Sequence, residues 1–425
     1  MKTKSMKTIC VVDNIGGSYV NVAMELNNFF EKVYYHSVNQ NPFPMKSMSS
    51  IGIGYDDIER IDDFWSNIDL FDIIIFPDIY FKDWGYRLRV LGKQVWGGCP
   101  SEELETDRKL FKEELQSVGL SIAPTEYIIG IDDLIDKLKT RTDVWLKISY
   151  FRGQMETYHH INMNQSSIWL ENLKVSLGPL GKSQEFIIET PIESIAEVGF
   201  DGYTINGILP NECIWGIETK DCAYIAKHCP IIELPQPILE VNSKFEPVLQ
   251  KYKHNGFYSN EIRVGKNGIN YYTDPAMRAG SPPSNSYLGW ITNWDEIITN
   301  GVEGIMTEPV FSNLYCVELI LKSTYCYTNY MPINITSEFR QNLKLKGCLN
   351  VDGQDYIVPF EQGGIKELKE FGSVVVFGDD VVEIMTKAVE IAGQIDCYGL
   401  TYDADAINRT MESINNIEKN LNLKF

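Results

Sequence analysis

The chain has 425 residues, 44% of them hydrophobic, enough to bury cores for two or three domains. Its formal net charge of −20 excludes a general nucleic-acid surface, because such binding is driven by clustered Lys and Arg. Nine cysteines without a C-x-x-C pair indicate neither a zinc site nor a disulfide framework, and no apolar run reaches the roughly 18–20 residues of a membrane span. A soluble cytoplasmic protein with reduced thiols is predicted.

Residues 7–13 form an apolar β-run that ends in Asn14-Ile15-Gly16-Gly17-Ser18. A helical pattern follows through Val20, Val22, Ala23, Leu26 and Phe29-Phe30. Strand, glycine turn and helix open an α/β unit whose helix N-terminus can receive an anion; a plain tight turn is the simpler reading. Short strands at 32–36, 71–76 and 93–97 extend this to a parallel, Rossmann-like sheet.

Thr106 or Asp107 caps an amphipathic helix that buries Leu110, Phe111, Leu115 and Val118 and places Arg108 in its first turn. After a charged helix at 132–139, Val144-Trp145-Leu146-Lys147-Ile148 sets a lysine inside an apolar strand. A buried ammonium is expensive unless paired, so a phosphate partner is one physical reason for Lys147; an edge strand facing water is the other. In the loop at 150–157, Arg152 stands beside the single glycine, Gly153. His159 and His160 on the next strand read as structural. A strand at 185–189 ends in Glu189 and leads to Ile192 and Glu197, and Asp201-Gly202-Tyr203 begins another strand pair. The stretch 216–224, which contains Lys220, shows no chemistry of its own, and 246–252 reads as a helix.

The segment 256–283, GFYSNEIRVGKNGINYYTDPAMRAGSPP, organises the rest. It reads as a hairpin turning at Lys266-Asn267-Gly268, with Glu261 on one strand and Asp274 at the end of the other. Two carboxylates gathered beside Arg278 suit a magnesium-bound triphosphate, since Mg²⁺ takes one or two carboxylates and shares substrate phosphates while arginine clamps phosphate oxygens. Solvent-facing strand residues are the plain alternative. Beyond the hairpin come strands at 317–321, 356–359 and 372–377, an amphipathic helix at 381–391 and a final helix at 403–420.

Asp274-Pro275-Ala276-Met277-Arg278 resembles the Glu-x-Asn-x-Arg pattern of the ATP-grasp superfamily, and Arg278-Ala279-Gly280-Ser281-Pro282 resembles the Arg-Phe-Gly-Asp-Pro of phosphoribosylamine–glycine ligases. The helix DRKLFKEEL and the lysine strand stand in the family's order, and the chain is similar to divergent members carried by phage genomes. The resemblance implies an α/β (α+β) ATP-grasp fold: a Rossmann-like domain over 1–105, an ATP-grasp domain over 106–308 with a lid at about 122–190, and a small C-terminal α/β domain over 309–425. It implies ATP and Mg²⁺ as cofactors, with Glu261 and Asp274 as metal ligands and Arg278 and Lys147 as catalytic residues. Arg108, Lys147, Arg152, Glu189, Ile192, Glu197 and Lys220 are the implied nucleotide contacts. Asp at 274 and Ala at 276 depart from the family's Glu and Asn, which puts a second magnesium in doubt.

The function so implied is an ATP-dependent carboxylate–amine ligase that passes through an acyl phosphate, with an amino acid and an amine as substrates. The competing expectation is a catalytically degenerate ATP-grasp protein that serves as a nucleotide-binding or assembly module. Oligomers are compatible with either.

Overall fold

The computed structural model describes residues 4–14, 17–38, 48–148, 157–280, 282, 284–359, 369–421 and 425. The first sheet contains β1 (Ser5–Asp13), β2 (Phe30–Ser37), β3 (Glu59–Arg60), β4 (Ile73–Ile75) and β5 (Gln94–Trp96), all parallel in the order β3-β2-β1-β4-β5. Both faces are covered, as a parallel sheet requires. Along β1 the pleat sends Ile9 and Val11 into one core and Cys10 and Val12 into another. Helix α1 (Val20–Leu26) is shorter than its apolar pattern, because Phe30 is already paired in β2. Helix α2 (Lys82–Val90) precedes β5.

Two short helices, α3 (Glu102–Thr106) and α4 (Arg108–Ser117), lead out of this sheet. Asp107 is the N-cap of α4, its Oδ1 accepting from the amides of Lys109 (3.1 Å) and Leu110 (3.0 Å). Gly119, at φ +72°, lets the chain reverse after α4. A second, antiparallel sheet follows, built from β6 (Thr125–Ile129), β7 (Val144–Lys147), β8 (Thr157–His160) and β9 (Glu185–Glu189) in the order β6-β9-β7-β8. With α5 (Ile131–Leu138) and α6 (Met163–Leu177) it closes a core of its own around Leu134, Leu146, Leu170 and Phe186.

The largest sheet has eight strands. It uses β10 (Ser194–Thr204), β11 (Glu212–Thr219), β12 (Ala223–Pro230), β13 (Gly256–Gly265), β14 (Asn270–Ala276), β15 (Tyr315–Ser323), β17 (Leu343–Leu345) and β20 (Lys369–Gly378), in the order β14-β13-β10-β11-β12-β15-β20-β17. Helices α7 (Gln236–Lys251), α8 (Ser284–Trp290) and α9 (Trp294–Gly301) lie between its strands in the chain, and α10 (Val381–Ala392) and α11 (Ala404–Leu421) follow it. Strands β16 (Met331–Ile333), β18 (Cys348–Val351) and β19 (Gln354–Ile357) form a small separate sheet.

Two sequence expectations change here. Strand β10 begins at Ser194 rather than at Asp201, so Glu197 lies inside it; the whole length is paired to β13. The stretch 216–224 is a hairpin end joining β11 to β12 and carries site residues, although its pattern showed none. Among the described residues no helix is long and apolar enough to cross a membrane, and all nine cysteines are free.

Candidate active site

The site lies on one face of the eight-stranded sheet. Alternate residues of a strand share a face, so Glu197, Gly199 and Asp201 of β10 stand with Ser259, Glu261 and Arg263 of the neighbouring β13. Glu261 is directly opposite Asp274 in the β13–β14 ladder, a pairing that puts Cβ atoms roughly 5 Å apart. A bulge follows at once: Glu261 pairs with Asp274 but Ile262 pairs with Tyr272, which leaves Thr273 over. The Thr273 hydroxyl donates to Glu261 Oε1 at 3.0 Å and steadies that carboxylate.

Glu197, Gly199, Asp201, Ser259, Glu261 and Asp274 line a cavity of about 200 Å³ with Glu218, Lys220, Tyr224, Ala276 and Arg278. Carboxylates dominate it. Burial first, then the neighbouring Glu197, raises the pKa of Glu261, against Lys220 and Arg263. Asp274 offers surface to solvent, yet dense protein around it raises its pKa, as do Glu261 and Glu105, while Arg108 and Lys147 pull it down. Glu218 is pushed up to about 7 by burial, against the Asp221 amide and Lys220, and Asp201 to about 6 by burial. Arg263 answers part of this charge, its Nε 2.9 Å from Glu197 and its Nη2 3.6 Å from Glu261. The donor set fits a divalent cation: two adjacent hard oxygen ligands whose mutual repulsion a metal relieves.

Arg278, two residues past the end of β14, also lines the cavity. Its Nε donates to Glu105 Oε1 (2.8 Å) and its Nη1 to Tyr19 Oη (3.0 Å), with Asp78 3.9 Å away. Glu105 also accepts from the Met277 amide at 2.8 Å, so one buried carboxylate fixes both the chain and the guanidinium.

Lys147 and Glu189 are brought together in the smaller sheet, 2.8 Å apart. The opposite oxygen of Glu189 meets Lys112 of α4 at 2.6 Å, a lysine with no marker in the sequence beyond its place on the helix. Burial alone would raise the Glu189 pKa; the two lysines overcome it and hold the carboxyl at about 2. The buried lysine therefore has a protein partner, and phosphate is not needed to explain its burial. Arg108, at the start of α4, acts electrostatically on both Asp274 and Lys112. Ile192 is in the connection from β9 to β10, and Lys220 is at the turn between β11 and β12. Arg152 and the loop around Gly153 lie outside the described residues.

No protein-family model and no curated protein matches this sequence. Solved structures do match, over nearly the whole chain. Phosphoribosylamine–glycine ligase from Thermotoga maritima aligns with a TM-score of 0.66 at 15% identity, over 94% of this chain and 99% of that one. Biotin carboxylase from Campylobacter jejuni, in a complex with β-γ-ATP, gives 0.64 at 12% identity, over 97% of each chain. L-amino acid ligase from Bacillus licheniformis gives 0.60 at 14% identity, over 94% and 100%.

The fold is that of the ATP-grasp enzymes. Within this ATP-grasp fold, sequence reasoning passed over Asp201, Glu218, Tyr224 and Ser259 in the cavity and Lys112 beside Glu189. The signal for the first two was present: Gly199-Phe200-Asp201 and Gly216-Ile217-Glu218 each place a carboxylate two residues from a glycine, on one face of a strand. Only the pairing of β10 with β11 shows that the glycines face each other.

Proposed function

We propose that the protein is an ATP-dependent carboxylate–amine ligase acting on small molecules. The observation that carries this is the Glu261–Asp274 cross-strand pair, opening into the same cavity as Arg278 and standing within electrostatic reach of Arg108 and Lys147. On this reading 1–105 is a Rossmann-like domain, 106–308 the ATP-grasp domain and 309–425 the C-terminal domain, with β15, β17 and β20 of the last continuing the central sheet.

Glu261 and Asp274 would hold Mg²⁺, which neutralises charge on the triphosphate as it reacts. Lys147 and Arg108, whose charges act on Asp274, would supply fixed positive charge for phosphate oxygens. A carboxylate oxygen of the first substrate attacks the terminal phosphorus, the bond to the bridging oxygen breaks, and ADP leaves. An amine then attacks the acyl carbon, the C–O bond to phosphate breaks, and the phosphate leaves with its electron pair and a proton from the amine. Arg278 stabilises negative charge on the acyl-phosphate oxygens, and its rigid hold by Glu105 and Tyr19 means that no reorganisation is needed at that moment.

Thermal shift with Mg-ATP, then ADP release across a panel of amino acids with and without amines, tests this reading. The expected outcome is stabilisation by Mg-ATP and ADP release with at least one carboxylate. Asp274→Asn is expected to lower turnover at least about a hundredfold with the fold intact; unchanged turnover removes the metal assignment. One observation favours a second reading, a nucleotide-binding module without turnover. Ala276 lines the cavity where the family pattern has an asparagine, and binding without ADP release from any mixture would favour that module.

A further inference from the structure

A second cleft, sharing no residue with the candidate active site, lies where the end of β5 meets the chain between α7 and β13. There the Gly97 amide donates to the Asn255 carbonyl at 2.8 Å, and the Asn255 side chain donates to the Gly301 carbonyl at 2.9 Å. Three segments are thus tied around one opening of about 560 Å³. Its wall carries Lys82, Arg89, Lys93, Lys251 and Lys253 against one acid, Glu303. Over the whole chain acids outnumber bases by 58 to 38, so five cations to one acid is a local reversal. Glu303 accepts from the neutral side-chain amide of Gln94 at 3.1 Å.

The cations differ in how they are held. Arg89 donates to the carbonyls of Gly97 (2.6 Å), Gly98 (2.7 Å) and Val95 (3.3 Å), which fix its guanidinium without cancelling its charge. Lys82, Lys93 and Lys251 reach Glu103 (2.5 Å), Asp69 (3.0 Å) and Glu114 (2.5 Å), none of which lines the cleft. Pairs so open to water hold little energy, and an incoming anion can replace them. Lys253 has no ion pair among the described residues. It follows the last turn of α7 in the left-handed region, φ +48°, where glycine is the residue of least cost. Lysines are point charges that meet phosphate from any direction, whereas carboxylates favour a free arginine fork, and the Arg89 fork is already committed to carbonyls. The volume falls within the roughly 300–1,000 Å³ of small-molecule pockets, and exposed Tyr86 with Tyr252 offers apolar surface for an uncharged part. We propose that this cleft is a second binding site, taking a small phosphate-bearing molecule whose phosphate lies among Lys93, Lys251 and Lys253. Nothing in this depends on the ligase reading.

The test is calorimetric titration of the full chain with inorganic pyrophosphate, without magnesium, and with citrate at the same ionic strength. Wild type is expected to bind pyrophosphate more tightly than citrate. Lys253→Gly is expected to weaken pyrophosphate about tenfold while raising the melting temperature, since it removes a charge and relieves the backbone. Loss of binding beside a gain in stability cannot come from misfolding, and Lys93→Ala is expected to weaken binding in the same direction. Hydrogen exchange locates the ligand: pyrophosphate should protect peptides covering 82–99 and 250–255 and leave β9 and β14 unchanged. AMP against glycerol 3-phosphate, each measured in wild type and Lys253→Gly, then separates a nucleotide from a smaller phosphate ester. No pyrophosphate bound, citrate bound as tightly, both variants at wild-type affinity, or protection confined to β9 and β14 overturns the site. Stabilisation by Mg-ATP decides the ligase reading separately, and its absence leaves this site standing.

Discussion

Two glutamates, Glu189 of β9 and Glu218 of β11, show what each part of the molecule does with charge. Glu189 is gripped by Lys112 and Lys147 and held at about 2; Glu218, on the cavity face, is pushed up to about 7. Both feel burial as the first influence, and the difference is the company. In the smaller sheet the protein supplies its own counter-charge, two lysines on one carboxylate, which leaves the cluster net positive. On the large sheet five carboxylates, Glu197, Asp201, Glu218, Glu261 and Asp274, share a cavity wall with Lys220 and Arg278. An excess of negative charge is retained where something positive is to be received, here, by our proposal, a metal ion.

The largest effect that separates the regions is expected from Glu189→Ala. It leaves two buried lysines facing each other, and breaking a buried pair in this way costs about 3–5 kcal/mol. Hydrogen exchange of the β7 and β9 amides should accelerate by orders of magnitude while β10 and β13 keep their protection, because the smaller sheet has its own core. Unchanged exchange in β7 would remove the cluster from the stability of that sheet.

A pH series pulls the regions in opposite directions. The Glu189 carboxyl falls from 4.5 to about 2 on folding, so its contribution, roughly 3 kcal/mol at most, is complete above about pH 5 and is lost as the pH falls toward 2. The Glu218 carboxyl rises from 4.5 to about 7, so its contribution is present below about pH 4 and is lost as the pH rises through 7. Glu189→Gln should flatten the acid limb of a denaturation series alone, and Glu218→Gln the neutral limb alone. A single variant that flattened both would show one coupled region, not two.

The smallest effect is expected from Gly216→Ala. Its methyl group meets the Tyr224 ring, which must swing away from Asp201, at a cost of about 1–3 kcal/mol. Urea denaturation should register this loss, and a stability equal to wild type would mean that the ring moves freely and does not orient Asp201.

The chain by itself determined the hairpin. Glu261, Lys266-Asn267-Gly268 and Asp274 fix a turn, and the pleat then dictates which side chains share a face, so local chemistry was enough to bring the two carboxylates together. The Asp107 cap and the α4 helix were legible for the same reason, since their signals lie within a few residues. What only the tertiary structure decided is who meets across long intervals of sequence: Lys112 with Glu189, Glu105 with Arg278, Gly199 with Gly216, and β12 with β15 in one continuous sheet. Periodicity states which face a residue occupies but not which strand lies beside it, because register between distant strands is set by the packing of the whole core.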